Sequence, residues 1–267
     1  MNNFSFFMND KPVIGVVHLL PLPGSPKYAG DLDTIINQAL EEVRIFKQGG
    51  VDGIIIENFH DMPYLKDSVP LEQYGIMASI LTMARQEVNV PLGVNVHYND
   101  WKAEITLAYT CKAQFIRVES FVDTVITASG IVEPCCAEVT RYRKNLDIDK
   151  EEVQIWADIH PKYSSNLLPC SLTYSYKMAE ESMADCIIVT GETTGIETPL
   201  KDIKEVKKIG ELPVVAGSGV NLENLHQTLN VADGILVGSA FKDSWNTQNT
   251  VSLEKITKFM QNVKEHK

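Results

Sequence analysis

Short apolar runs alternate with amphipathic stretches from near one end of the chain to the other. Eight runs rich in β-branched residues stand out, at residues 13–19, 53–57, 92–97, 115–119, 153–160, 186–190, 213–216 and 234–237. Each is nearly continuously apolar, as a parallel strand covered on both faces should be. Between them, apolar positions recur every three or four residues, which predicts helices. In the first helix Ile36, Leu40, Val43 and Phe46 share a face, Asp31 or Asp33 can cap its start, and Gly49 or Gly50 can end it. The second covers about 73–88, and the others roughly 101–109, 134–146, 171–183, 199–209, 222–229 and 252–263.

Strict strand–helix alternation implies a parallel sheet with right-handed crossovers. Eight units in 267 residues predict an α/β fold, a (β/α)8 TIM barrel, with a doubly wound open sheet as the alternative. No linker, low-complexity run or charge block divides the chain, so residues 1–267 read as a single domain.

In such a barrel the chemistry gathers where each strand ends and its loop begins. The seventh strand ends in Ala216-Gly217-Ser218-Gly219-Val220 and the eighth in Val237-Gly238-Ser239-Ala240. Small residues let backbone N–H groups close on an anion. Two such turns on the last two strands are where this fold usually holds a phosphate. Gly217, Ser218, Gly219, Gly238 and Ser239 are therefore candidate phosphate ligands, with Gly191 in the Thr190–Gly195 loop as a further part of that rim. Tight turns without a ligand are the plainer explanation. Lys242 reads either as a partner for the phosphate or as a solvated side chain.

The other strand ends are polar. His18 precedes a proline-stiffened run, and Glu57 and Asn58 follow three isoleucines. Asn95 shares a strand face with His97, and Arg117 shares one with Glu119. The latter pair reads either as a barrel-bracing ion pair or as a substrate group with its orienting partner. Trp156, Asp158 and His160 alternate along one face of the fifth strand, so Asp158 and His160 are expected to form a base with its orienting carboxylate. Lys162 follows and reads as exposed. Glu57, His97, Glu119, Asp158 and His160 could together bind a divalent cation, although no metal-site spacing supports one.

Composition narrows the partners. A net charge of −11 argues against nucleic acid and anionic lipid, both of which need a basic footprint. Five cysteines without a CxxC pair read as reduced thiols. The first ten residues lack the features of a signal peptide, and no apolar run approaches membrane-spanning length, so a cytoplasmic location is expected. Nothing in the pattern excludes a homo-oligomer.

Several blocks resemble one family. Pro12 through His18 to Pro26 is similar to the N-terminal signature of the BtpA/SgcQ family. So are the segments Gly53 to Asn58, Gly93 to Asn95, Phe115 to Glu119, Ala157 to Lys162, Val189 to Gly191, Gly217 to Val220 and Ala232 to Ser239. The resemblance covers about residues 12–245. It implies a barrel of the ribulose-phosphate-binding type, in a family with one branch tied to photosystem I biogenesis and another to sugar metabolism.

These readings converge on an enzyme, an isomerase, lyase or hydrolase, acting on a phosphorylated sugar or nucleotide-like small molecule. Asp158 and His160 would transfer protons, Glu57 or Glu119 would be the second acid or base, and Arg117 and Asn95 would position substrate oxygens. The alternative is a non-catalytic assembly factor that uses the barrel as a binding scaffold.

Overall fold

The computed structural model describes residue 4 and residues 6–266. β1 (Val13–His18) leads to α1 (Leu32–Gly49), β2 (Gly53–Glu57) to α2 (Leu71–Glu87), and β3 (Leu92–Asn95) to α3 (Trp101–Cys111). β4 (Phe115–Val118) is followed by two short strands, β5 (Val125–Thr127) and β6 (Gly130–Val132), and then by α4 (Cys136–Asn145). β7 (Gln154–Ile159) is followed by the short β8 (Ser165–Asn166) and α5 (Leu172–Glu181). β9 (Cys186–Val189), α6 (Leu200–Val206), β10 (Val214–Ala216), α7 (Leu225–Leu229), β11 (Gly234–Val237) and α8 (Leu253–His266) complete the order. All eight predicted strands form. They close into a parallel barrel in the order β1-β11-β10-β9-β7-β4-β3-β2, and the open sheet is excluded.

Local chemistry sets the element ends. The Asp31 carboxylate accepts from the Thr34 N–H at 3.2 Å, and Gly50 closes α1 in the left-handed region with φ 77°. Alternation along each strand then decides what fills the barrel. Its lower interior is apolar, with Ile14, Val16, Ile55, Phe115, Trp156, Ile188, Val215 and Leu236 in one buried cluster. Phe115 stacks on Trp156 with ring centroids 4.2 Å apart. A Cβ at Gly93 would come within 2.2 Å of the Phe115 ring, so glycine makes room for that stack. Phe4 and Phe7 pack against Trp156 at 5.6 and 6.0 Å and join this cluster from the N-terminal segment.

The three short strands were not expected. They form a separate antiparallel sheet in the order β6-β5-β8, built from the segments that leave β4 and β7. Two or three residues per strand is too short for a period-two pattern to show. Among the described residues no helix is long and apolar enough to cross a membrane.

Candidate active site

The inward positions above the apolar layers carry charge. On β4 the side chain after Phe115 on the inner face is Arg117, which is 1% exposed. Its Nε and Nη2 donate to the two Asp158 carboxylate oxygens at 3.3 and 2.9 Å, and its Nη1 donates to Glu57 Oε1 at 3.1 Å. Arg117 thus bridges β2 and β7 across the barrel and does not pair with Glu119. His97 takes that place, with Nδ1 2.5 Å from Glu119 Oε1 and Nε2 3.7 Å from Glu57 Oε2. Asn95 Nδ2 faces three acceptors: the Arg117 carbonyl at 2.8 Å, and Glu119 Oε2 and Glu104 Oε1 at 3.0 Å.

Burial and charge act against each other here. Burial alone would push Glu57 up, but Arg117 and His97 reverse this and hold it well below the usual carboxylate range. Burial raises Asp158 to about 6 despite Arg117. Burial, reinforced by Glu119, pushes Glu104 well up and favours its neutral form. Burial would lower His97, yet Glu119 and Glu57 outweigh it and raise the imidazole to about 9.

The His97 shift predicts a pH dependence. Between pH 6.5 and 9 the native chain keeps a proton on His97 that the unfolded chain has released, so stability falls as pH rises. At about 1.4 kcal/mol per pKa unit the full loss is about 3 kcal/mol. Urea unfolding of the wild type and of His97→Gln across this range should show the deficit of the variant shrinking toward pH 9. An equal deficit at both ends would refute the assignment.

A small cleft opens above this layer. It is lined by the side chains of His18, Glu57, Arg117 and Lys162 and by Gly195, Gly217, Ser218, Gly219, Gly238 and Ser239. The glycine turns have steric reasons to be glycine. Gly219 has φ 69°, and a Cβ there would lie 2.4 Å from the Glu197 backbone. A Cβ on Gly238 would lie 2.5 Å from the His18 ring. The Ser218 hydroxyl accepts from the Gly191 N–H at 2.7 Å and donates to the Ile196 carbonyl at 3.0 Å, so it ties the loop after β9 to the loop after β10. Gly191 faces a larger neighbouring cleft of about 760 Å³.

Several expectations change. The dyad of Asp158 and His160 is not formed. Asp158 spends both oxygens on Arg117, whereas His160 leaves the strand alternation with φ 50°, and its N–H donates to Asp123 Oδ2 at 2.9 Å. Trp156 shares the inward face with Asp158 but belongs to the apolar layer below. Lys162 is not exposed. It is 6% accessible, with Nζ 3.3 Å from Thr194 Oγ1 and 5.8 Å from the Phe59 ring centre. Burial first, and then Arg117, lower its pKa. Lys242 neither reaches a phosphate nor meets solvent, because it is fully buried against Glu42 on α1 at 2.7 Å. The five residues considered for a cation do not gather: His160 lies apart, and the other four already face Arg117 or one another.

Sequence reasoning missed Glu104, Asp123 and Cys170. Glu104 carries a legible signal, since it stands in the apolar stripe of α3 with Ala108 and Cys111. His18 reaches the cleft with Nδ1 unpartnered, and burial and Lys242 push its pKa well down.

Residues 9–265 match the BtpA family. The chain is 38% identical over 256 residues to an uncharacterised protein of Pyrococcus horikoshii, covering 96% of this chain and 97% of that one. It is 34% identical over 267 residues to the photosystem I biogenesis protein BtpA of Synechocystis sp., covering 99% and 92%. Among solved structures, (S)-3-O-geranylgeranylglyceryl phosphate synthase from Thermoplasma acidophilum, in complex with sn-glycerol-1-phosphate, aligns with a TM-score of 0.61. That match is at 12% identity over 98% of this chain and 97% of that one. Phosphoribosyl anthranilate isomerase from Thermus thermophilus aligns with a TM-score of 0.60 at 11% identity over 96% and 100%. Such distant likeness speaks to the fold.

Proposed function

The chain belongs to the BtpA family, and we propose that it is an enzyme that grips a phosphorylated sugar or nucleotide-like metabolite by its phosphate and moves a proton on the rest of the molecule. One observation carries this reading. The cleft bounded by the Gly217–Gly219 and Gly238–Ser239 turns is also lined by His18, Glu57, Arg117 and Lys162. The Gly217 N–H is spent on the Val189 carbonyl at 2.8 Å, and the small residues of both turns would let the remaining backbone N–H groups close on an anion. Two buried cations, Arg117 and Lys162, line the same cleft.

Within this cleft the roles follow from charge state. His18 is neutral at ordinary pH, because burial holds its pKa well down, and its free Nδ1 suits it to accept or relay a proton. A lysine lowered by burial gives up its proton more readily, so Lys162 serves as the acid or as the counter-ion of a developing oxyanion. Glu57 and Arg117 reach the cleft as a paired carboxylate and guanidinium. Asp158, Glu119 and Asn95 act through them: Asp158 fixes Arg117, while Glu119 and Asn95 fix His97 and the carboxylate layer. Isomerase, lyase and hydrolase chemistry all fit this layout.

The test is a thermal-shift screen with inorganic phosphate, sugar phosphates and nucleotides. A ligand at about 100 times its Kd stabilises the native state by about 2.7 kcal/mol. Ser239→Asp is the informative control. It places a negative charge in the cradle without the collisions that a Cβ would cause with the Ile188 and Thr190 side chains at Gly217, the Glu197 backbone at Gly219 or the His18 ring at Gly238. The unliganded variant should melt near the wild type and lose the shift. If no phosphorylated compound shifts the wild type, the reading fails. If one binds and is not converted, the protein is a binding scaffold instead. The closed ion-pair net around Arg117 and the name of the Synechocystis relative favour that second reading.

A further inference from the structure

Away from the phosphate turns, three chain segments bring unlike donors together. Asp123 comes from the segment between β4 and β5, His160 from the end of β7, and Cys170 from just before α5. One ligand atom from each lies within 4.8 Å of the others. Cys170 Sγ is 3.5 Å from His160 Nε2 and 3.7 Å from Asp123 Oδ1. In tetrahedral zinc coordination, with Zn–S about 2.3 Å and Zn–N or Zn–O about 2.0 Å, the sulfur-to-ligand edge is about 3.5 Å. The observed separations match that edge.

The donors are also held in place. Asp123 Oδ1 accepts from Ser175 Oγ at 2.6 Å, and Oδ2 accepts from the His160 N–H at 2.9 Å. Asn166 Nδ2 donates to Cys170 Sγ at 2.8 Å. Partners of this kind orient ligands in metal centres. His160 and Cys170 are half-buried, and His160 borders the 760 Å³ cleft, so an ion has a path in.

We propose that Asp123, His160 and Cys170 form a zinc site. A thiolate, an imidazole and a carboxylate are the donor set for zinc and not for magnesium or calcium, which take oxygen ligands. Three protein ligands leave the fourth tetrahedral position to water or to a ligand in the cleft, the arrangement of zinc sites that take part in chemistry. The site also links the small sheet, through Asp123 and Asn166, to the barrel mouth and α5. None of these residues lines the phosphate cleft.

The test uses the full chain freed of metal by chelation, with no phosphorylated compound present, and titrated with Zn²⁺ and Co²⁺. One equivalent of either is expected to bind. The cobalt form should show the intense thiolate-to-cobalt charge-transfer absorption and the visible bands of a tetrahedral site. Cys170→Ser should lose the charge-transfer absorption, and Cys136→Ser, half-buried elsewhere, should keep it. His160→Ala should weaken Zn²⁺ binding at least a hundredfold. Ser175→Ala, which keeps all three ligands, should weaken it roughly ten- to a hundredfold. Circular dichroism of each metal-free variant checks that it is folded. Absence of stoichiometric binding to the folded wild type, or cobalt absorption unchanged in Cys170→Ser, overturns the proposal.

Discussion

Arg117→Leu should be the most damaging single substitution in the polar layer, costing about 3–5 kcal/mol, the usual range when one partner of a buried ion pair is removed. Two carboxylates depend on this guanidinium: Glu57 is 1% exposed and Asp158 is fully buried. Leucine would leave Asp158 without its bidentate partner and Glu57 with only the more distant His97 at 3.7 Å. Against a typical total of about 5–15 kcal/mol, that loss is a large fraction of the stability. Arg117→Lys should recover little, because one ammonium cannot reproduce the bidentate grip on Asp158 together with the bond to Glu57. Adding Asp158→Leu to Arg117→Leu should recover part of the loss by removing an orphaned charge. The deficit should also shrink in acid. Asp158 already stands at about 6 with Arg117 beside it, and without that cation it takes up a proton more easily still. Urea unfolding at pH 5 and pH 8 measures both effects. A deficit below about 1 kcal/mol at pH 8 would mean that the bridge contributes little, as exposed ion pairs do.

The same layer shows what could be read from the sequence and what could not. Strand parity was legible, because an apolar β-branched run has a period of two once its inner face is known. It put Asp158 on one face with Trp156 and Arg117 on one face with Glu119, and the structure turns Trp156, Asp158 and Arg117 into the barrel. Partner choice was not legible. Parity suggested Arg117 with Glu119 on one strand, whereas barrel curvature brings Glu57 and Asp158 from neighbouring walls onto the guanidinium. Parity also failed one residue beyond the strand. His160 would continue the inner face if β7 ran on, but its backbone turns left-handed and carries the ring toward Cys170. Lys162 was misjudged for the same reason, since a residue after a proline in a loop has no period to place it. Glu42 and Glu104 were legible in principle. Each interrupts the apolar stripe of a helix, and a carboxylate there needs a partner inside.

Lys162→Met separates the two cations of the cleft by the sign of their effect on stability. Arg117 is matched by two carboxylates at hydrogen-bond distance. Lys162 has one neutral hydroxyl, at 3.3 Å, and a pKa lowered by burial and by Arg117. Its charged form is therefore disfavoured by folding, and an apolar side chain of similar length should leave the protein as stable or more so. Ligand binding should move the other way. A hydrogen bond to a charged group contributes about 1.5–3 kcal/mol, so phosphate affinity should fall roughly ten- to a hundredfold. Isothermal titration with the tightest phosphorylated compound, paired with urea unfolding of the free protein, reads both quantities. Stability retained with affinity lost identifies Lys162 as a group held ready for an anionic ligand at a cost to the fold. Affinity retained removes it from the cradle. A loss of stability comparable to that of Arg117→Leu makes it a structural counter-ion of Glu57 and Asp158, and the case for acid–base work at this cleft then rests on His18 alone.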